Sequence, residues 1–325
     1  MFDLLGPLFT WFRRLSPVMR RVPVIKRVLV TGAAGFVGFQ SLPALVERGY
    51  EVIAVTRATG GHSVPGVEWV AADLLDGSAV SMLMSEVRPS HLLHFAWYAK
   101  PGAFWTAPEN FAWVQASLHL LRQFSACGGA RVVSAGTCAE YDWDVGLCVE
   151  NKTPIAPGTA YGVCKASLGA MQAAFCELAG VSSAWGRVFL LYGPREHPER
   201  LVPSVVRSLL RGRPARCSHG KQVRDIMHVS DVADAFVALL DSRVEGPVNV
   251  ASGVPVPVSD VIFGIAERLG RDELVELGTV ALLPNDPPLL VADTRRLAIE
   301  VGWVPRFDLG AGLDDAIRWW RGEGV

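Results

Sequence analysis

The segment Thr31-Gly32-Ala33-Ala34-Gly35-Phe36-Val37-Gly38 constrains this chain more than any other stretch. It follows a continuous apolar run over 27–31 and opens a helical segment over 36–48, which Gly49 stops. A strand that passes through glycines straight into a helix starts a βαβ unit, the crossover that parallel strands require. The same junction suits a diphosphate. Small residues admit its oxygens close to the backbone, and the helix amides and dipole favour its negative charge. Gly32, Gly35, Phe36, Val37 and Gly38 are therefore candidate contacts for a dinucleotide.

The alternation continues along the chain. Apolar runs at 51–56, 91–96, 131–135 and 184–191 read as buried strands, and 75–87, 111–126 and 160–178 read as helices. This predicts an α/β fold, a Rossmann-type doubly wound parallel sheet covered by helices on both faces. Prolines crowd the last third, from Pro194 to Pro305, and the elements between them shorten, so a smaller C-terminal substrate-binding lobe is expected there. The domain reading is an N-terminal arm over 1–25, an NAD(P)-binding domain over 26–186, and a lobe over 187–325 from which about 225–250 return to the first domain.

Composition narrows the function. The 325 residues are 50% hydrophobic, enough for a large core. Lys+Arg of 31 against Asp+Glu of 32 gives a charge of −1, which argues against a nucleic-acid partner, since that needs a broad basic footprint. The six cysteines form no C-x-x-C pair and no zinc-spaced cluster, so no metal is expected and they read as free thiols of a reducing cytoplasm. In the arm, residues 1–12 are apolar apart from Asp3 and precede Arg13, Arg14, Arg20 and Arg21. That order is the reverse of a secretory signal, and the run is too short to span a bilayer. The helical spacing of Phe2, Leu5, Phe9 and Phe12 fits weak membrane-surface contact by residues 1–21 or, more simply, a poorly ordered tail.

Which dinucleotide binds is decided where the second strand ends. An acidic side chain there would accept from the adenosine ribose hydroxyls, but the sequence offers Thr56 and then Arg57. Without the carboxylate a 2′-phosphate is not repelled, and a guanidinium pairs with it, so NADP(H) is favoured over NAD(H). Asp73 and Leu74 are placed for the adenine edge, and Phe95, Ala96 and Trp97 for the pyrophosphate or ribose.

Tyr161 and Lys165 stand one helical turn apart on one face. A phenol titrates near pH 10, and an adjacent ammonium is expected to lower it toward working pH, for proton exchange with a carbonyl or alcohol. The run Val133-Ser134-Ala135-Gly136-Thr137-Cys138-Ala139-Glu140-Tyr141 adds a strand that ends in small and hydroxyl-bearing residues. From about Lys26 to the C-terminus the sequence resembles the extended short-chain dehydrogenase/reductase family, in its nucleotide-sugar branch. The resemblance rests on the glycine loop, on Thr137, Tyr161 and Lys165, on Tyr192-Gly193-Pro194, and on Arg224-Asp225-Ile226-Met227-His228-Val229-Ser230-Asp231-Val232.

That resemblance implies catalytic roles for Thr137, Tyr161 and Lys165. Thr137 hydrogen-bonds the sugar oxygen, Tyr161 transfers the proton, and Lys165 lowers the Tyr161 pKa and holds the nicotinamide ribose. Arg224 is expected to bind the substrate diphosphate unless it pairs internally with Asp225 or Asp231, and Trp97, Cys138 and Ala139 are expected to line the sugar site. A nucleotide-diphosphate sugar is the expected partner. The helices 111–126 and 160–178 resemble those of a homodimer interface in this family.

The sequence departs from the family in ways that narrow the reaction. Dehydratases carry Asp and Glu after the catalytic Thr, whereas Cys138 and Ala139 stand here, and Glu140 substitutes only if the loop is shifted. The usual Asn positions hold Trp113 and Leu190. The expected activity is NADPH-dependent reduction of a C4 keto group on a nucleotide-linked deoxyhexose. The alternatives are a nucleotide-sugar epimerase that retains NAD, a reductase of another carbonyl, as the ring-rich Trp97, Trp105 and Trp113 region allows, and a non-catalytic NADP-binding protein.

Overall fold

Val28, Leu29 and Val30 are fully buried and point alternately into two different cores, which is why the first strand is apolar throughout. The same alternation holds at Val52 and Ala54 against Ile53 and Val55. A sheet of such strands has to be covered on both sides. The computed structural model describes residues 26–57, 63–282 and 286–324 and contains that arrangement. A 7-stranded parallel sheet runs in the order Gly246–Val250, Ser182–Val188, Arg131–Thr137, His91–His94, Arg27–Thr31, Glu51–Thr56, Val67–Ala71.

Helices Phe36–Glu47 and Val229–Asp241 pack together over one face. Helices Gly77–Val87, Glu109–Ala126 and Ala160–Ala179 succeed one another over the other. The order of connection reverses between Arg27–Thr31 and His91–His94, the switch point beyond whose carboxyl ends doubly wound sheets bind their ligands.

Two expected strands are cut differently. The one at 91–96 leaves the ladder after His94, because Thr31 draws in the next two residues: its carbonyl accepts from Phe95 N–H (3.2 Å) and its Oγ1 from Ala96 N–H (3.2 Å). The one at 184–191 is two strands. After Val188 the chain leaves the large sheet, buries Phe189, and pairs Leu190–Tyr192 with Val223–His228. Val223–His228 belongs to a second sheet with Pro255–Pro257, Leu289–Ala292 and Leu147–Cys148. A separate core beside it joins helices Leu201–Leu210, Val258–Leu269 and Leu309–Gly322 through Val202, Val206, Ile262, Ile265, Leu313 and Ile317. The arm over 1–25 lies outside the described residues. Among those described, no helix is long and apolar enough to cross a membrane.

Arg131 closes the far end of the large sheet. Its guanidinium is buried and donates to the carbonyls of Leu239 (2.7 Å) and Leu240 (2.9 Å) in the last turn of helix Val229–Asp241 and to that of Val244 (2.8 Å) just beyond it. Replacing it strands those carbonyls without water. Arg131→Ala is expected to destabilise the fold by about 2–4 kcal/mol, read as a lower urea midpoint at unchanged slope.

Candidate active site

The glycine loop builds a cradle at the switch point. Gly32 has φ +65°, and a Cβ there would lie 2.8 Å from Ala96 N, so the first and fourth strand ends approach only through a glycine. A Cβ on Gly38 would collide with the Gly32 carbonyl. Helix Phe36–Glu47 starts at Gly35 with no side-chain cap and no acidic residue in its first turn, so its leading amides suit an anion. A cleft of ≈ 320 Å³ opens there, lined by Ala34, Gly35, Phe36, Arg195, Trp319 and Glu323. These features fit a dinucleotide diphosphate. Arg195, seated 3.9 Å over the Phe39 ring, adds a cation that no sequence motif marks.

The remaining cofactor candidates divide. Thr56 ends its strand half-buried and Arg57 follows exposed. Asp73 is exposed and its Oδ1 accepts from Leu75 N–H (3.0 Å), while Leu74 is buried beside a cleft of ≈ 210 Å³ reaching Gln115 and His119. Val37 and Phe95 pack into the core, Phe95 edge-on to Phe236 at 4.9 Å. His94 is a buried pin between Thr31 Oγ1 (2.7 Å) and Ser117 Oγ (2.9 Å). Burial, then the Lys165 charge, pushes its imidazole down to about 3.

Thr137 ends strand Arg131–Thr137 and caps the short turn Cys138–Glu140, its Oγ1 accepting from Ala139 N–H (3.2 Å). Tyr161 enters near the start of helix Ala160–Ala179, which Thr159 caps through Gly162 N–H (3.1 Å). A Cβ on Gly162 would collide with the Ala139 carbonyl, so this glycine lets the helix sit against the Thr137 turn. The Thr137 hydroxyl is close enough to pull the Tyr161 phenol toward a lower pKa. One turn on, Lys165 Nζ donates to the Ala135 carbonyl (2.8 Å) and lies 3.9 Å over the Trp97 ring.

The electrostatics differ from the sequence expectation. Burial raises the Tyr161 phenol, and the Thr137 hydroxyl only partly opposes it. Burial also lowers Lys165 to about 7 against the pull of Glu140. The ammonium rests on a carbonyl and an indole face instead of lowering the phenol, and a phenol held neutral is set to give a proton.

Aromatic rings surround Tyr161: Phe104 at 4.9 Å, Trp105 at 5.8 Å and Trp97 at 6.5 Å, with Trp113 beyond at 6.3 Å from Trp97. Trp97 is fixed by its Nε1 donation to Asn110 Oδ1 (2.8 Å). Cys138 and Ala139 are both buried, and burial pushes the Cys138 thiol up to about 12. Arg224 does not pair with Asp225 or Asp231. It donates to Asp286 Oδ1 (2.6 Å), while Asp225 accepts from Ser252 and Gly253 and Asp231 from Arg306 N–H and Phe307 N–H.

Glu140 turns under the loop. Its carboxylate accepts from Thr137 N–H (2.8 Å), Trp185 Nε1 (2.9 Å) and Arg187 Nε (2.7 Å). It is fully buried and committed, so it does not take the place of the missing dehydratase carboxylates.

The pattern of the NAD dependent epimerase/dehydratase family matches residues 28–251. The chain belongs to this family, the nucleotide-sugar branch of the extended short-chain dehydrogenases/reductases. It is 30% identical over 317 residues to UDP-glucuronic acid decarboxylase 1 of Xenopus tropicalis, covering 92% of this chain and 73% of that protein. It is 29% identical over 322 residues to UDP-glucose 4-epimerase of Azospirillum brasilense, covering 91% and 92%. Among solved structures, MoeE5 in complex with UDP-glucuronic acid and NAD superposes with a TM-score of 0.80 at 30% identity, covering 91% of this chain and 99% of that one.

Lys165 links the site to stability. Its pKa is about 7 in the fold against 10.5 as the ordinary value. Between these values the unfolded chain binds more protons, so stability rises with pH, and below them the buried charge costs on the order of a few kcal/mol. Lys165→Met is expected to raise the melting temperature at about pH 6, with the gain shrinking toward about pH 10. A gain independent of pH would show that burial does not depress this lysine.

Proposed function

We propose that the protein is an NADPH-dependent reductase of the C4 keto group of a nucleotide-linked deoxyhexose. The observation that carries this reading is the buried Thr137 set against the half-buried Tyr161 beside Lys165, with Glu140 withdrawn and Cys138 and Ala139 offering no second acid or base. A dinucleotide whose diphosphate rests on the glycine loop would supply the hydride from its nicotinamide. Thr137 then holds the substrate oxygen, and Tyr161 delivers its proton to that oxygen as negative charge develops there. Lys165, turned to the Ala135 carbonyl and the Trp97 face, is left to hold the nicotinamide ribose. Arg224 takes the diphosphate by exchanging Asp286 for phosphate oxygens.

Thr56 and Arg57 support NADPH, since no carboxylate at the strand end opposes a 2′-phosphate. A second reading, a nucleotide-sugar epimerase with retained NAD, draws on the relatives: one is named a UDP-glucose 4-epimerase and another was solved with NAD. A homodimer fits the outward faces of helices Glu109–Ala126 and Ala160–Ala179, which expose Phe111, Val163, Met171 and Leu178 to water.

Purified protein incubated with NADPH and dTDP-4-keto-6-deoxyglucose is expected to consume the cofactor stoichiometrically. Isomerisation of a nucleotide sugar without net cofactor use, with NAD copurifying, would replace the reductase by the epimerase. Tyr161→Phe is expected to lose at least about 100-fold in kcat while still binding NADPH, an outcome that a non-catalytic cofactor-binding protein would not give. Arg57→Ala is expected to weaken NADPH about tenfold and leave NADH unchanged, read by fluorescence titration.

A further inference from the structure

The catalytic turn is held from beneath by a buried ion pair that the reaction itself does not use. Glu140 and Arg187 face each other at 2.7 Å with side chains 1% and 11% exposed. One Glu140 oxygen accepts from both Thr137 N–H and Trp185 Nε1, and the other from Arg187. Arg187 also donates to the Tyr141 hydroxyl (3.0 Å), which donates to Asn249 Oδ1 (2.7 Å). Asn249 in turn donates through Nδ2 to the Cys148 and Asp293 carbonyls (both 3.0 Å). The Thr137 backbone is thereby pinned to the last strand of the large sheet and to the second lobe. Lys165 Nζ lies over the same indole, 6.0 Å from the centre of the Trp185 ring.

We propose that Glu140, with Arg187 as counter-ion, is a positioning residue: it fixes Thr137 through the backbone and sets a buried negative charge at the Trp185 indole, the ring that the Lys165 ammonium also meets. A buried ion pair is seldom retained for stability alone, because desolvating both ions offsets their attraction. The groups around Lys165 make the charge matter. His94 is neutral, Tyr161 on its own helix is protonated, Trp97 and Trp185 present rings, and Glu140 is the charge that opposes the effect of burial on the amine.

The inference takes Thr137 and Lys165 as the machinery of the proposed reductase, so the first measurement omits substrate. In the full chain carrying ¹³Cε-lysine, the Lys165 signal is assigned by its loss in Lys165→Arg and titrated by NMR. Glu140→Gln is expected to move its inflection down by about one pH unit. Should Arg187 left alone prevent folding, Glu140→Gln/Arg187→Gln removes both charges and is expected to give the same shift. An inflection that stays in place overturns the proposal. Glu140→Asp keeps the charge but falls a methylene short of Thr137 N–H. It is expected to hold the wild-type inflection and to lower kcat about tenfold at unchanged KM with the 4-keto sugar. A wild-type protein without turnover defeats the reductase reading, and the titration still decides the coupling.

Discussion

A parallel sheet leaves neither face to water, and most of this molecule follows from how its two faces are covered. Strands Arg27–Thr31, Glu51–Thr56, His91–His94 and Arg131–Thr137 contribute side chains to both cores, and the polar face of Ser182–Val188 is spent on buried pairs such as Arg187 with Glu140. Polar function is pushed to the strand ends. At the carboxyl edge the chain turns through Gly32, through the residues after His94 and through the turn after Thr137, and the cradle, the aromatic rings and the side chains of Thr137 and Tyr161 gather there. The opposite edge carries structural polarity instead, as in the Arg131 guanidinium among helix-end carbonyls.

Burial is therefore the main influence on the site's chemistry. It raises the Tyr161 phenol and lowers the Lys165 amine, and both shifts favour the neutral forms. Specific partners act against it: the Thr137 hydroxyl on the phenol, and the Ala135 carbonyl, the Trp97 face and the Glu140 charge on the amine. A dry pocket of this kind strengthens each of these contacts relative to water. The two titratable groups are thus poised by a balance between desolvation and a handful of short contacts.

What was legible in the sequence was what is encoded locally. The glycine loop spans a few residues, and Tyr161 and Lys165 are one helical turn apart, so spacing alone places them. The sheet followed from apolar runs, although the edge strands Val67–Ala71 and Gly246–Val250 escape such a reading because Glu68 interrupts one and Gly246, Pro247 and Asn249 interrupt the other. Pairings across long separations stayed hidden. Glu140 meets Arg187 47 residues away, and Arg224 meets Asp286 62 residues away, not the nearby Asp225. Lys165 on the Trp97 face joins two elements whose closeness only the fold creates. The direction of the Tyr161 shift was missed for the same reason, since depth of burial is a property of the assembled pocket.

The partners of Arg131 lie 108, 109 and 113 residues further along the chain. On a ribosome, the strand Arg131–Thr137 emerges long before the helix end that accepts its guanidinium and before Gly246–Val250, the edge strand that completes the sheet. Until then the half-built sheet shows an open edge and an apolar face, the form most prone to pair with other chains. Assembly of the cofactor half is thus tied to synthesis of roughly three-quarters of the polypeptide, and a truncation before Val250 would leave a glycine loop without a finished domain to hold it.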